Sequence, residues 1–206
     1  SGGKFCSKKC QLTNMGKMLS KASLILTDSH AEKNMMLKNL NLNEDKFKIA
    51  PYGVDKRFYN ANKKEFVNKY NMEDFLLYTG RLEPRKNVLT LIKVASKCNL
   101  PLVIIGSGNY QGGNEYYNLC KKAAGKNVIF IDKMEHESSL LSSAYAAAKA
   151  VVLPSWLENP GLSVLEGGVA GANVLVTSRG SSKEYFEDYA FYINPFDNKD
   201  IERKII

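Results

Sequence analysis

Phe75-Leu-Leu-Tyr-Thr79 runs straight into Gly80-Arg-Leu-Glu-Pro-Arg-Lys86-Asn87, and the fold turns on how this stretch reads. The first five residues do not alternate apolar with polar. Such a run suits a strand covered on both faces, as in a parallel sheet between helices. Four more runs of the same kind follow: Leu102-Val-Ile-Ile105, Val128-Ile-Phe-Ile131, Ala150-Val-Val-Leu153 and Val174-Leu-Val176. Helical patterns lie between them. Val88, Leu91, Ile92 and Ala95 fall at i, i+3, i+4 and i+7, and Leu141, Ala144, Tyr145 and Ala148 repeat that spacing. Strands alternating with helices predict right-handed βαβ units and an open α/β sheet.

Outside this block the pattern changes. Leu24-Ile-Leu-Thr27 reads as a strand. Ser29-His-Ala-Glu32 reads as a capping box, with each side chain bonding the other residue's amide, ahead of a helix to about Leu40. Phe47-Lys-Ile-Ala50 reads as a short strand closed by the turn Pro51-Tyr52-Gly53. Residues 60–73 read as a solvated helix. Ala190-Phe-Tyr-Ile193 reads as a last strand, and Asn198 to Ile206 as the start of a helix with no room to finish. The chain is therefore expected to be trimmed at both ends. There is no internal repeat and no low-complexity tract.

Composition bounds the rest. The 206 residues are 44% hydrophobic, 10% aromatic and 24% charged, enough apolar matter for a real core and too little charge for a disordered chain. A net charge of +8 favours anionic partners without choosing among them. No run of apolar residues is long enough for a membrane span, and Ser1-Gly2-Gly3-Lys4 lacks the apolar core of a signal peptide. Cys6-x3-Cys10 could be half a zinc site, but Cys98 and Cys120 fall in separate predicted elements. The four cysteines read as reduced thiols of a cytosolic protein.

The residues that carry chemistry cluster at strand ends. Glu158-Asn-Pro-Gly-Leu-Ser-Val-Leu-Glu166 follows a strand ending at Pro154-Ser155. Gly161 onward reads as helix, with Pro160 in the first turn. The free amides of Gly161 and Leu162 would then face the crevice at the carboxyl ends of the strands, where open α/β sheets bind ligands and where a helix start attracts anions. Glu158 and Glu166 could each hold sugar hydroxyls around a diphosphate. In the opening stretch Gly80 lets the backbone turn, while Arg81 can fork onto a phosphate and Lys86 can supply a compact charge. Ile105-Gly-Ser-Gly108 is not a full G-x-G-x-x-G fingerprint.

In this order the pieces resemble family 4 of the glycosyltransferases, with the GT-B architecture of two facing Rossmann-like domains. The matching pieces are Pro51-Tyr-Gly-Val-Asp55 with Phe58, Gly80-Arg-Leu82 with Lys86, Ile105-Gly-Ser-Gly108, Tyr145 through Pro154-Ser155, the Glu158-x7-Glu166 signature, and Gly180 with Glu184. The resemblance implies an α/β fold: a Rossmann-like open parallel sheet with helices on both faces, the C-terminal half of such an enzyme. Residues 1–50 would be a remnant of the acceptor-side domain plus hinge, and residues 51–206 the nucleotide-sugar-binding domain. It also implies roles. Arg81 and Lys86 would neutralise the donor diphosphate, Glu166 would hold the ribose, and Glu158 would contact the transferred sugar. The backbone near Met134 would meet the base. Gly106, Asn159, Gly161 and Leu162 complete the expected donor site, with Glu158, Arg81 and Lys86 expected to carry catalysis.

The implied function is donor binding for retaining sugar transfer from a UDP- or GDP-sugar, with no metal or other cofactor and no nucleic-acid partner. The missing N-terminal domain is the expected partner, and a peripheral membrane contact of the full-length protein stays open. The isolated chain is expected to be inactive. The chain departs from the family pattern at Tyr52, at Asp132, at Asn159-Pro160 and at Gly167-Gly-Val169. Two other readings are a non-catalytic nucleotide-sugar-binding subunit of a split transferase and a GT-B sugar-nucleotide epimerase. A nicotinamide dehydrogenase is disfavoured, because the glycine fingerprint and its ribose-binding acid are absent.

Taken singly, the same residues have plainer readings. Glu158 and Glu166 could be surface glutamates flanking a helix start, and Arg81 with Lys86 a solvated basic corner. Gly106 and Gly108 read mainly as turn glycines. His136 and His30 read as a loop residue and a first-turn helix residue rather than general bases. Tyr116 and Tyr117 read as helix packing. Trp156 reads equally as a sugar platform or as a core or rim residue.

Overall fold

All five apolar runs form strands in the structure, a computed structural model that describes residues 8–108 and 113–206. The chain divides into two units, residues 1–52 and 53–206. The first contains α1 (Lys8–Leu19), β1 (Ile25–Thr27), α2 (His30–Asn39), a 3-10 turn over Glu44–Lys46 and β2 (Phe47–Ile49), with β1 and β2 paired in parallel. Ser29 caps α2 by accepting from the amide of Glu32 at 3.1 Å. The return bond is displaced: the Glu32 carboxylate accepts from the amide of Asp28 at 2.9 Å instead of that of Ser29. The expected turn at residues 51–53 is a stretch without regular structure.

The second unit runs α3 (Lys56–Tyr59), α4 (Lys64–Tyr70), β3 (Phe75–Thr79), a 3-10 turn over Pro84–Lys86, α5 (Val88–Lys97), β4 (Leu102–Ile105), α6 (Gly113–Ala123), β5 (Val128–Ile131), α7 (Ser139–Ala147), β6 (Ala148–Leu153), α8 (Leu162–Val169), β7 (Asn173–Thr177), α9 (Ser182–Phe186), β8 (Phe191–Ile193) and α10 (Asn198–Ile205). Its six strands are all parallel, in the order β5-β4-β3-β6-β7-β8. Winding proceeds outward from β3 in one direction and from β6 in the other. Right-handed crossovers then place α5 and α8 on opposite faces. The order reverses between β3 and β6, which fixes the switch point at the ends of those two strands.

The core follows from the sequence pattern. β3 and β4 are buried at every position, and Val88, Leu91, Ile92 and Ala95 face inward from α5 with no exposed surface. Two expectations need correction. Ala148, placed in the helix by spacing, is the first residue of β6, because α7 passes directly into the strand. Residues 60–73 are not a solvated helix throughout: α4 is shorter, and its Phe66 is fully buried against Phe75 and Tyr70. Val67 and Tyr70 also pack against the core, and the Phe66 amide donates to the Ser143 hydroxyl at 2.9 Å, so α4 is docked along one face.

Tyr116 and Tyr117 both pack against the core. The Tyr116 hydroxyl also accepts from the Leu89 amide at 3.0 Å, satisfying a donor in the first turn of α5. Burial pushes the neighbouring Cys120 thiol up to about 11 and the Tyr116 phenol up to about 12. The folded chain therefore favours their neutral forms. That stabilisation is fully present below the ordinary thiol pKa of ~8.5 and is lost as pH rises through about 11. Urea midpoints at pH 8, 9.5 and 10.5 should fall steadily, and fall less in Cys120→Ala. An equal fall in both proteins would contradict the assignment.

Candidate functional site

At the switch point a pocket of about 290 Å³ opens beside the ends of β3 and β4, the loop after β5, and the faces of α7 and α8. Arg81, Gly106, Met134 and Glu166 line it, so four of the expected donor residues meet in one cavity. His136 and Tyr145 line it as well.

Glu166 is the best-fixed group in the pocket. Its side chain keeps only 10% of its surface exposed, and both carboxylate oxygens are engaged. Oε2 accepts from the Tyr145 hydroxyl at 2.8 Å, and Oε1 lies 2.7 Å from His136 Nε2. Burial and the adjacent Glu166 charge hold the Tyr145 phenol well above its usual range, so it stays protonated. Its single proton goes to the carboxylate. The Thr79 hydroxyl, 2.5 Å away, must therefore donate to the phenol oxygen. A carboxylate has about four lone-pair sites, so Glu166 can still accept from a ligand hydroxyl.

Phe58, on α3, supplies the wall behind this network. Asp55 caps α3 by accepting from the Arg57 amide at 2.9 Å. The helix buries Phe58, whose ring meets Tyr145 edge-on at 5.5 Å and His136 at 5.7 Å. His136 sits in the loop after β5, as its sequence context suggests, but it braces a site carboxylate. Spacing gave no hint of this, because residues 57, 136, 145 and 166 come together only through the sheet topology.

Glu158, Lys86, Asn159, Gly161 and Leu162 lie outside the lining of that pocket. Lys86 Nζ is 2.6 Å from Glu158 Oε1, and Arg85 approaches the same oxygen at 3.5 Å. Glu158 is nearly buried, at 5% side-chain exposure. Its backbone is locked to the loop after β7: its amide donates to Arg179 and its carbonyl accepts from Ser181. Arg81 stands exposed at the corner, 3.8 Å from Glu83. Three cations, Arg81, Arg85 and Lys86, thus face two carboxylates there, leaving the corner positive.

The helix start differs from the sequence expectation. Pro160 precedes the helix, Gly161 is its N-cap at φ 88°, and Leu162 is the first helical residue. Asn159 and Leu162 are exposed. Asn87, which belongs to none of the expected site roles, ties the corner together. Its side chain donates to the carbonyls of Pro154 at 3.2 Å and Pro195 at 3.0 Å, linking the ends of β3, β6 and β8. Trp156 stacks on Phe196 at 6.4 Å and remains 45% exposed, a rim position.

Among the described residues no group of three or more His, Cys, Asp or Glu could hold a metal ion, and no helix is long and apolar enough to cross a membrane. Cys98 and Cys120 are free thiols. Cys6 and the Cys10 side chain lie outside the described residues.

A doubly wound parallel sheet with a largely apolar pocket, walled on one side by a buried carboxylate, at its switch point defines a Rossmann-like α/β domain. Residues 60–206 match the family described as Glycosyl transferases group 1, and the chain belongs to that family. It is 30% identical over 173 residues to an uncharacterized glycosyltransferase of Methanocaldococcus jannaschii, covering 78% of this chain and 43% of that one. The O-antigen chain mannosyltransferase RfbU of Salmonella typhimurium is 26% identical over 178 residues, covering 85% and 48%. The chain thus spans about half the length of the curated relatives it matches. Among solved structures, sucrose-phosphate synthase of Thermosynechococcus elongatus superposes with a TM-score of 0.84 at 21% identity, over 100% of this chain and 53% of that one. HepE of Anabaena, in complex with UDP and glucose, gives 0.84 at 18% identity, over 97% and 57%. These structural likenesses establish the fold, that of GT-B glycosyltransferases.

Proposed function

We propose that residues 51–206 are the donor-binding domain of a retaining glycosyltransferase of family 4, which takes a nucleoside-diphosphate sugar. The observation that carries this reading is the Glu166 carboxylate, fixed by Tyr145 and His136 in a pocket at the switch point of a group 1 domain. In this reading Glu166 accepts from the ribose hydroxyls. The backbone near Met134 and Gly106 meets the base. Arg81, with the two Lys86 donors not used on Glu158, holds the diphosphate beside the amides of Gly161 and Leu162. Glu158 orients the transferred sugar, with Asn159 next to it. Both a UDP complex of a structural neighbour and a mannosyltransferase relative support a nucleotide sugar as ligand.

Catalysis rests on stabilising the departing diphosphate through fixed charges and amides. The leaving phosphate oxygen takes the acceptor proton on the face where the new bond forms, so the anomeric configuration is kept. No metal is required for that stabilisation. The acceptor face belongs to a facing N-terminal domain, of which residues 1–50 are a remnant together with the hinge. The chain alone therefore binds donor without turnover. The whole enzyme works in the cytoplasm, with any membrane contact peripheral.

Ribose is common to free nucleotide and sugar donor, which separates the two glutamates. A lost hydrogen bond to a charged group is worth ~1.5–3 kcal/mol, about tenfold to a hundredfold in affinity. Glu166→Ala should weaken free UDP or GDP and the matching sugar donor by similar factors. Glu158→Ala should leave free nucleotide nearly untouched and weaken the donor alone. Calorimetry with UDP, GDP, UDP-glucose and GDP-mannose reads both, with glutamine variants controlling for packing. Equal loss of free nucleotide in the two variants would overturn the role assignment.

A further inference from the structure

One charged side chain behind the pocket has no part in the roles assigned above. Arg57, on α3, places its NH2 group 2.8 Å from Nδ1 of His136. A guanidinium can only donate, so Nδ1 must be the acceptor and the ring proton must sit on Nε2. That nitrogen is the one 2.7 Å from Glu166 Oε1. The tautomer is thus imposed from behind, and the Nε2 proton points at the carboxylate. Arg57 holds this pose at a cost to itself, since its Nε is buried without a hydrogen-bond partner. Its guanidinium is also stacked 5.2 Å over the Phe58 ring, the same ring that packs against His136 and Tyr145. Asp55 approaches it only at 3.9 Å, so its firmest contact to another side chain among these is the one to the histidine.

We propose that Arg57 is a positioning residue for ribose recognition, acting through His136 to fix the orientation of the Glu166 carboxylate. The proposal rests on the reading of Glu166 as the ribose-binding group. Without Arg57 the imidazole is free to move its proton to Nδ1. It would then turn a lone pair toward Glu166, and the carboxylate would lose one of its two fixed donors. Discrimination for the ribose hydroxyls should suffer, while binding of the base and diphosphate should not.

The test compares UDP or GDP, whichever binds the wild-type chain more tightly, with its 2′,3′-dideoxy analogue. The wild type should prefer the ribonucleotide by about tenfold to a hundredfold. Arg57→Met keeps an apolar stem over Phe58 and removes the guanidinium. It should reduce that preference at least fivefold by weakening the ribonucleotide only. His136→Ala should do the same, whereas His136→Gln, which keeps a donor at the Nε2 position, should retain the preference. In the His136→Gln background Arg57→Met should change nothing further. If Arg57→Met folds poorly, the two histidine variants still decide.

An unchanged preference in Arg57→Met and His136→Ala overturns the proposal while leaving the donor reading intact. Equal weakening of both analogues also overturns it, since that is the mark of a merely structural role. A wild type that binds the nucleotide and its analogue equally, or binds neither, overturns the ribose reading and the proposal with it.

Discussion

Gly180→Ala should lower the melting temperature by about 10 °C, corresponding to roughly 3–5 kcal/mol for a chain of this size. Gly180 has φ 96°, and a Cβ there would overlap the carbonyl oxygen of Glu158. The two residues form a parallel bridge, with Glu158 also bonded to Arg179 and Ser181. The methyl group therefore pushes apart the two loops that hold the Glu158 carboxylate. The left-handed conformation adds a further penalty of ~1–2 kcal/mol for any L side chain. Gly171 provides the control. It has φ 94°, but a Cβ there meets nothing within 4 Å, so Gly171→Ala should show the conformational penalty alone. Thermal unfolding of both variants reads the difference. Equal melting temperatures would mean that the Glu158–Gly180 contact does not constrain the loops.

Lys86→Met should destabilise the fold by about 3–5 kcal/mol, because it strands a nearly buried carboxylate. Arg85, at 3.5 Å and well exposed, compensates in part and keeps the loss toward the lower end. The double variant Lys86→Met/Glu158→Gln removes both charges and should recover most of the stability, since replacing a buried pair by neutral groups is often close to neutral. It should not recover nucleotide binding, because the diphosphate cation is still missing. Urea unfolding and nucleotide titration on the single and double variants separate the two effects. A single variant as stable as the wild type would show that Lys86 and Glu158 are not coupled. Full nucleotide affinity in the double variant would remove Lys86 from the diphosphate site.

The strands of the second unit were legible because a sheet covered on both faces forces unbroken apolar runs, and β3 and β4 are buried at every residue. Their winding was legible from the alternation with helices, and the edge of the sheet that bears the pocket followed from it. What escaped was the choice of side-chain partners, whether neighbours in the chain or residues far apart. The capping-box pattern at Ser29 could not say that Glu32 would reach Asp28. Phe66 sits in an Asn- and Lys-rich stretch whose average polarity hid the buried face of α4.

The acidic residues of the site were visible as types at a spacing, but their partners were not. Glu166 is held by Tyr145 and His136 from two other elements, and Lys86 reaches Glu158 across 72 positions. Asn87 carried a usable signal, a polar residue just before an apolar helix. Its actual work, bonding two carbonyls from other loops, depends on the sheet order.

On the proposed reading the pocket at the β3–β6 switch point takes a nucleoside diphosphate and does so with protein cations rather than a metal ion. Isothermal calorimetry of the chain with UDP and with GDP, each in the presence of a chelator and in the presence of magnesium, tests this directly. At least one of the two nucleotides should bind saturably, with an affinity unchanged by the chelator and lost in Arg81→Ala. No binding of either nucleotide at millimolar concentration, or binding abolished by the chelator, would contradict it.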